Sequence, residues 1–71
     1  MPANYNKLWK LLIDRNMKKK DLMSITGLSQ ATIGKIGRNE TVNSDVLIKI
    51  CEALNCDIGE IMEVVRDGKE N

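Results

Sequence analysis

The amino-acid sequence predicts a small all-α fold made of five helices. Apolar residues recur at intervals of three and four along most of the chain, which is the period of an amphipathic helix. Capping residues and glycines separate these segments, and no segment shows strand-like alternation. The 71 residues are 42% hydrophobic and 3% aromatic, so they provide one mainly aliphatic core and leave no room for a second domain.

The first predicted helix lies in "YNKLWKLLIDR". Its inward face is formed by five residues at helical spacing: Tyr5, Leu8, Trp9, Leu12 and Ile13. Asn16 follows as a left-handed C-terminal cap. A second helix runs through "KKKDLMSIT" and ends at Gly27. Its inward residues are Leu22 and Ile25, with Met23 beside them.

Ser29 is a good N-cap for a third helix, from about Gln30 to Gly37. Ile33 and Ile36 face inward, and Leu28 packs just ahead of them. Gly37 is interpreted as the start of this helix's C-terminal cap.

The fourth predicted helix lies in "NSDVLIKICEALN", with Asn43 or Ser44 as its N-cap. Its inward face consists of Leu47, Ile50, Cys51 and Leu54. A fifth helix is predicted in "DIGEIMEVV", because Asp57 and Glu60 have the spacing of a capping box. Its apolar residues are Ile61, Met62 and Val65. The domain is predicted to span residues 1–66, with 67–71 as a short polar tail.

Charge is distributed unevenly along the chain, although the net charge is only +1. Residues 1–40 carry eight Lys or Arg against three Asp or Glu (+5), and residues 41–71 carry three against seven (−4). A basic half favours a polyanionic partner. Helix faces also differ in charge by chance, so charge alone leaves both interpretations open.

Several function classes lack the residues they need. The chain has two cysteines, Cys51 and Cys56, and no histidine, so neither a metal site nor a cofactor is expected and both thiols are predicted to be free. No phosphate-binding loop or paired-carboxylate cleft suggests an enzyme. No apolar run reaches the roughly 18 residues of a membrane span, and the first ten residues do not resemble a signal peptide, so a cytoplasmic location is expected.

Only "TGLS" separates the second and third predicted helices. A turn of three to four residues containing glycine sets two helices at about 90–120° in a helix-turn-helix unit. On the third helix, one side is polar, cationic and low in bulk, and it comprises Gln30, Ala31, Gly34, Lys35 and Arg38.

Such a face suits a helix that enters the DNA major groove, which is about 12 Å wide. A glycine inside a helix costs about 1 kcal/mol relative to alanine. Gly34 and Ala31 are interpreted as leaving room for the helix backbone to approach DNA closely. The alternative is that Gly34 is an exposed residue that mildly destabilises the helix.

The stretch "KKDLMSITGLSQATIGKI" resembles the helix-turn-helix of the Cro/repressor-type (XRE-like) transcriptional regulators of bacteria and phages. "LIKICEALNCDIGEIM" resembles the closing two helices of that family, and the resemblance covers roughly residues 5–65. It implies a compact five-helix, lambda-repressor-like domain that binds operator DNA, often as a dimer. Met23 stands where the family usually has alanine, and Thr26 where an apolar residue is common.

The resemblance implies base contacts from four residues of the third helix: Gln30, Ala31, Gly34 and Lys35. Gln30 is the leading base reader, because its amide can bond adenine N6 and N7 together. Lys35 can reach guanine or a phosphate. Phosphate contacts are implied for six residues: Lys18, Lys19, Lys20, Ser29, Arg38 and Asn39. Cations at a helix start are disfavoured by about 0.3–1 kcal/mol, so the lysine run is interpreted as a DNA anchor or as a solvated basic run.

These features predict a sequence-specific regulator of transcription that binds double-stranded DNA, in the simplest case a repressor that occupies an operator. A homodimer is expected, with the predicted fifth helix and Glu63–Val65 as its interface. The alternative is a helical protein-interaction module, such as an antitoxin-like or anti-repressor component, that binds a protein partner through the acidic C-terminal half.

Overall fold

A computed structural model describes residues 3–66, which form four α-helices, one 3₁₀ turn and a two-stranded sheet. In chain order these are β1 (Ala3–Asn4), α1 (Asn6–Asp14), α2 (Lys19–Thr26), α3 (Gln30–Gly37), α4 (Ser44–Leu54), the 3₁₀ turn (Ile58–Glu60) and β2 (Glu63–Val64). The strands are antiparallel, with Ala3 opposite Val64 and Asn4 opposite Glu63. The sheet therefore joins the two ends of the described chain. The predicted polar tail, residues 67–71, lies outside the described residues.

A single cluster of apolar side chains forms the core, and every helix contributes to it. Its buried members are Ala3, Tyr5, Leu8, Leu12, Leu22, Ile33, Ile36, Leu47, Ile50, Leu54 and Ile61. Burial of each large aliphatic side chain contributes about 1.5–3 kcal/mol, so this cluster is the main source of stability in so small a domain. Within residues 3–66, no helix has both the length and the apolar character needed to cross a membrane.

Each of the four helices is followed by a residue with positive φ. Asn16 (φ 56°) follows α1 and Gly27 (φ 74°) follows α2, as predicted. After α3 this residue is Asn39 (φ 59°) rather than Gly37, and after α4 it is Asn55 (φ 54°). Asparagine tolerates the left-handed region better than most residues, which explains its use at three of these ends.

The predicted N-caps of α3 and α4 are confirmed. The Ser29 hydroxyl accepts the N–H of Thr32 at 3.2 Å, and the Asn43 side-chain carbonyl accepts the N–H of Val46 at 3.1 Å. Each bond satisfies a backbone donor that has no partner inside its helix. Both helices therefore begin at the residue after the predicted cap.

Gly27→Ala is expected to lower the free energy of unfolding by about 1–2 kcal/mol, because an L side chain is strained at positive φ. Apart from Gly27 itself and its two chain neighbours, nothing lies within 4 Å of the Cβ that alanine would add, so the effect comes from backbone strain. Gly59→Ala is the matched control, since Gly59 has equally open surroundings and no positive φ. Urea unfolding followed by circular dichroism measures both variants, and equal losses of stability would contradict this explanation.

The predicted fifth helix is wrong. The capping box does form, since the Asp57 N–H donates to the Glu60 carboxylate at 2.9 Å. Yet only the 3₁₀ turn follows this capping box, and the chain then continues into β2. Gly59 is a poor helix former, the β-branched Val64 and Val65 favour extended backbone over helix, and β1 supplies a hydrogen-bonding partner for that segment.

Two residues predicted to face the core are instead exposed. Ile13 is 70% exposed and Ile25 is 50% exposed. Around the axis of α1, side chains become more exposed the further they point from the centre of the inward face. Leu12 is therefore buried, Trp9 is half-buried and Ile13 is exposed. On α2 the buried position is Leu22, and Ile25 lies at the rim of the packing between α2 and α4.

Candidate nucleic-acid interface

The turn between α2 and α3 is closed by Thr26. Its hydroxyl donates to the Leu22 carbonyl at 2.6 Å and accepts the N–H of Leu28 at 3.2 Å. Gly27 adopts the left-handed conformation beside it. The Thr26 hydroxyl thus links the end of α2 to the turn that leads into α3. In the family that the sequence resembles, this position is commonly apolar.

An open groove of about 520 Å³ lies between α2 and α3. It is lined by Lys19, Lys20, Met23, Gln30, Ile33, Gly34 and Gly37. The groove unites two predicted base contacts, Gln30 and Gly34, with two predicted phosphate contacts, Lys19 and Lys20. Met23 also lines the groove. Its position on the second predicted helix was the only feature of the sequence that pointed to this placement.

The other predicted contacts lie around this groove. Ala31 and Lys35 are exposed on α3, and Ser29 is exposed at its start, where its hydroxyl serves as the N-cap. Lys18 lines a separate groove of about 240 Å³, formed mainly by apolar side chains of α1. Lys19 lines both grooves, with Lys18 on the second and Lys20 on the first.

Lys19 is held in place by Trp9. The Nζ atom of Lys19 lies 4.7 Å from the centroid of the Trp9 ring, a cation–π geometry. The same atom is 3.7 Å from the point where a Cβ of Gly37 would stand. Trp9 was predicted only as a core residue, but it also directs this charge toward the end of α3.

The positive charge of the lysine run at the start of α2 is partly offset by Asp21. The Asp21 carboxylate lies in the first helical turn and accepts the N–H of Lys18 at 2.8 Å. An anion at a helix N-terminus interacts favourably with the helix dipole. Asp21 therefore offsets part of the unfavourable interaction between the three lysines and the helix dipole.

Asn39 connects the end of α3 to the start of α1. Its side-chain carbonyl accepts the N–H of Tyr5 at 3.3 Å, and the Tyr5 hydroxyl donates to the Glu40 carbonyl at 2.9 Å. Tyr5 is only 1% exposed, and this burial raises the pKa of its hydroxyl. The loop after α3 is thus tied to the core.

Arg38 forms an ion pair with Glu40 immediately after α3. Arg38 Nε lies 2.7 Å from Glu40 Oε2, and the two side chains are 63% and 40% exposed. This hydrogen bond lowers the pKa of Glu40, and the positive charges of Arg38 and Lys35 lower it further. Glu40 was not predicted as a site residue. The available signal was a carboxylate two residues after an arginine at a helix end.

The two cysteines lie apart from this surface, and both are free and half-buried. Burial raises the pKa of the Cys51 thiol to about 11, and the neighbouring Cys56 contributes to the shift. Such thiols are weak nucleophiles at neutral pH. Among residues 3–66, no three His, Cys, Asp or Glu side chains are grouped as metal ligands would be.

Comparisons with known proteins agree with this geometry. The sequence profile of the Cro/C1-type HTH DNA-binding domain matches residues 7–67. The fold is similar to a crystal structure of the transcriptional regulator VanUg (form II), with 53% sequence identity and a TM-score of 0.89. The match covers 93% of this chain and 88% of that one. A comparison with curated proteins found no match.

Proposed function

Because the chain belongs to the Cro/C1-type helix-turn-helix DNA-binding family, we propose that it is a repressor that recognises one operator sequence and acts by occupying it. The observation that carries this proposal is the groove between α2 and α3. It presents the Gln30 amide and the Lys19 and Lys20 ammonium groups on one surface. An amide that reads adenine and flanking cations that neutralise phosphates are the two components of specific duplex recognition.

The residues divide into two roles in this proposal. Base contacts come from the exposed side of α3, namely Gln30, Ala31, Gly34 and Lys35. Phosphate contacts come from the ends of the helix-turn-helix, namely Lys18, Lys19, Lys20, Ser29 and Asn39. Bonds to phosphate set the register of α3 in the groove, and bonds to base edges select the sequence.

We propose that the regulator binds as a homodimer through the C-terminal segment Glu63–Val65. Val64 is 68% exposed and Val65 is 40% exposed, and β2 is paired with β1 on one side. A two-fold dimer requires a near-palindromic operator with half-sites about 34–36 Å apart. Sedimentation of the protein with and without operator DNA tests this assembly.

Selection of bound sequences from a randomised duplex pool at physiological salt tests the function. We expect enrichment of a near-palindrome whose half-sites are one helical turn apart. Transcription from a promoter that overlaps this sequence should then fall as protein is added. An unenriched pool would contradict operator binding and would favour the protein-interaction module as the function.

A further inference from the structure

The Arg38 side chain folds back along α3 and lies over Gly34. Its Nη1 atom is 3.3 Å from the point where a Cβ of residue 34 would stand. Gln30, Gly34 and Arg38 follow at intervals of four residues and so share one side of the helix. The guanidinium group therefore occupies a part of the groove-facing surface that a side chain at position 34 would otherwise fill.

Glu40 holds the guanidinium group in this position. The Glu40 carboxylate accepts a hydrogen bond from Arg38 Nε at 2.7 Å. The Glu40 backbone is itself anchored, because its N–H donates to the Lys35 carbonyl at 2.9 Å and its carbonyl accepts the buried Tyr5 hydroxyl at 2.9 Å. Arg38 is thus oriented before DNA arrives, which reduces the entropy lost on binding.

This pairing suits a base contact better than a phosphate contact. A phosphate anchor works by its net positive charge, and the Glu40 carboxylate both offsets that charge and repels a phosphate. The bond at Nε leaves the N–H donors of Nη1 and Nη2 free. Two donors in one plane match the O6 and N7 acceptors of guanine.

We propose that Arg38 reads a guanine in the operator through Nη1 and Nη2, and that Glu40 is the positioning residue that keeps the guanidinium group in this orientation. The sequence alone predicted a phosphate contact for Arg38. The inference rests on the proposed operator binding and adds a specificity-determining contact to it. Gly34 provides the space in which the guanidinium group lies, so in this arrangement Arg38 takes the place of the Gly34 backbone as the base contact at that point of the helix.

Binding selection with wild type and Arg38→Ala is the first test. We expect the variant to lose the preference for one guanine in each half-site, roughly 5- to 150-fold, while the remaining positions of the motif are kept. A duplex with 7-deazaguanine at that position lacks the N7 acceptor but keeps base pairing. Wild type should bind this duplex more weakly than the natural operator. Arg38→Ala should bind the two duplexes with equal affinity.

Glu40→Ala tests the positioning role, because alanine has no acceptor for Arg38 Nε, and Glu52→Ala is the matched control. Both changes raise the net charge by one and should strengthen binding to unrelated DNA. Glu52 lies on α4, exposed and outside the groove, so its variant should keep the guanine preference. Glu40→Ala should lose much of that preference even as its nonspecific affinity rises, a combination that simple loss of folding does not produce.

Two results would overturn the inference. The first is a uniform loss of affinity, in which Arg38→Ala binds every duplex more weakly by the same factor, with a smaller salt dependence and an unchanged selected motif. This is the behaviour expected when a phosphate contact is removed. The second is an equal guanine preference in wild type and Glu40→Ala. A wild-type selection without any enriched sequence would refute the operator-binding proposal itself, and with it this role of Arg38.

Discussion

Gln30→Ala is expected to weaken binding to the selected operator by about 1–3 kcal/mol and to leave binding to unrelated duplex DNA nearly unchanged. Gln30 is the first residue of α3 and lines the groove beside Lys19 and Lys20. Its amide can donate to one acceptor and accept from one donor on the same adenine, and alanine can do neither. Fluorescence anisotropy with the operator and with a scrambled duplex at several salt concentrations measures the effect.

Lys19→Ala provides the contrast for this prediction. It should weaken binding to both duplexes and reduce the slope of log K against log[salt] by about 0.9, because each phosphate contact releases counterions. Lys10→Ala is the matched control, since Lys10 is an exposed lysine on α1 outside the groove and should leave the specificity ratio unchanged. Equal operator affinity of wild type and Gln30→Ala would rule out base reading by Gln30.

Ile61→Ala is expected to lower the free energy of unfolding by about 2–5 kcal/mol. Ile61 is fully buried and lies between the 3₁₀ turn and β2, so it anchors the C-terminal segment to the core. Domains of this size have a total stability of roughly 5–15 kcal/mol, so the variant loses a large part of it. Urea unfolding monitored by circular dichroism gives the difference directly.

Ile13→Ala makes the same chemical change at an exposed site. Ile13 is 70% exposed, and its replacement is expected to change the free energy of unfolding by no more than about 0.5 kcal/mol. Both isoleucines belong to predicted apolar faces, so the pair separates burial from sequence pattern. Similar losses in the two variants would contradict the placement of Ile61 in the core.

Local features determine most of the helical architecture. The apolar spacing in α1, α3 and α4 identifies most of their buried residues, with Ile13 as the exception, because a helix repeats its direction every 3.6 residues regardless of what it packs against. Ser29, Asn43 and Gly27 mark helix ends through bonds and angles within a few residues. The helix-turn-helix follows from the same short-range information, and the match to the Cro/C1-type domain confirms it.

Long-range contacts decided the C-terminal segment. The capping box of Asp57 and Glu60 forms as predicted, yet the chain leaves the helix because β1, about sixty residues earlier, pairs with Glu63–Val64. Two residues are too few to show alternation, and a sheet's hydrogen bonds join positions that are distant in sequence. The pattern in this segment therefore could not distinguish a helix from a paired strand.

The sequence by itself determined the helical period, the capping residues, the polar face of α3 and the family of the chain, because each depends on residues close together in the sequence. Tertiary structure alone decided which groups meet on the surface that we propose faces DNA. It placed Trp9 under Lys19 and tied Asn39 and Glu40 to Tyr5. The distances that orient these charges depend on how α1 packs near the end of α3, and packing across the core is not encoded in any local pattern.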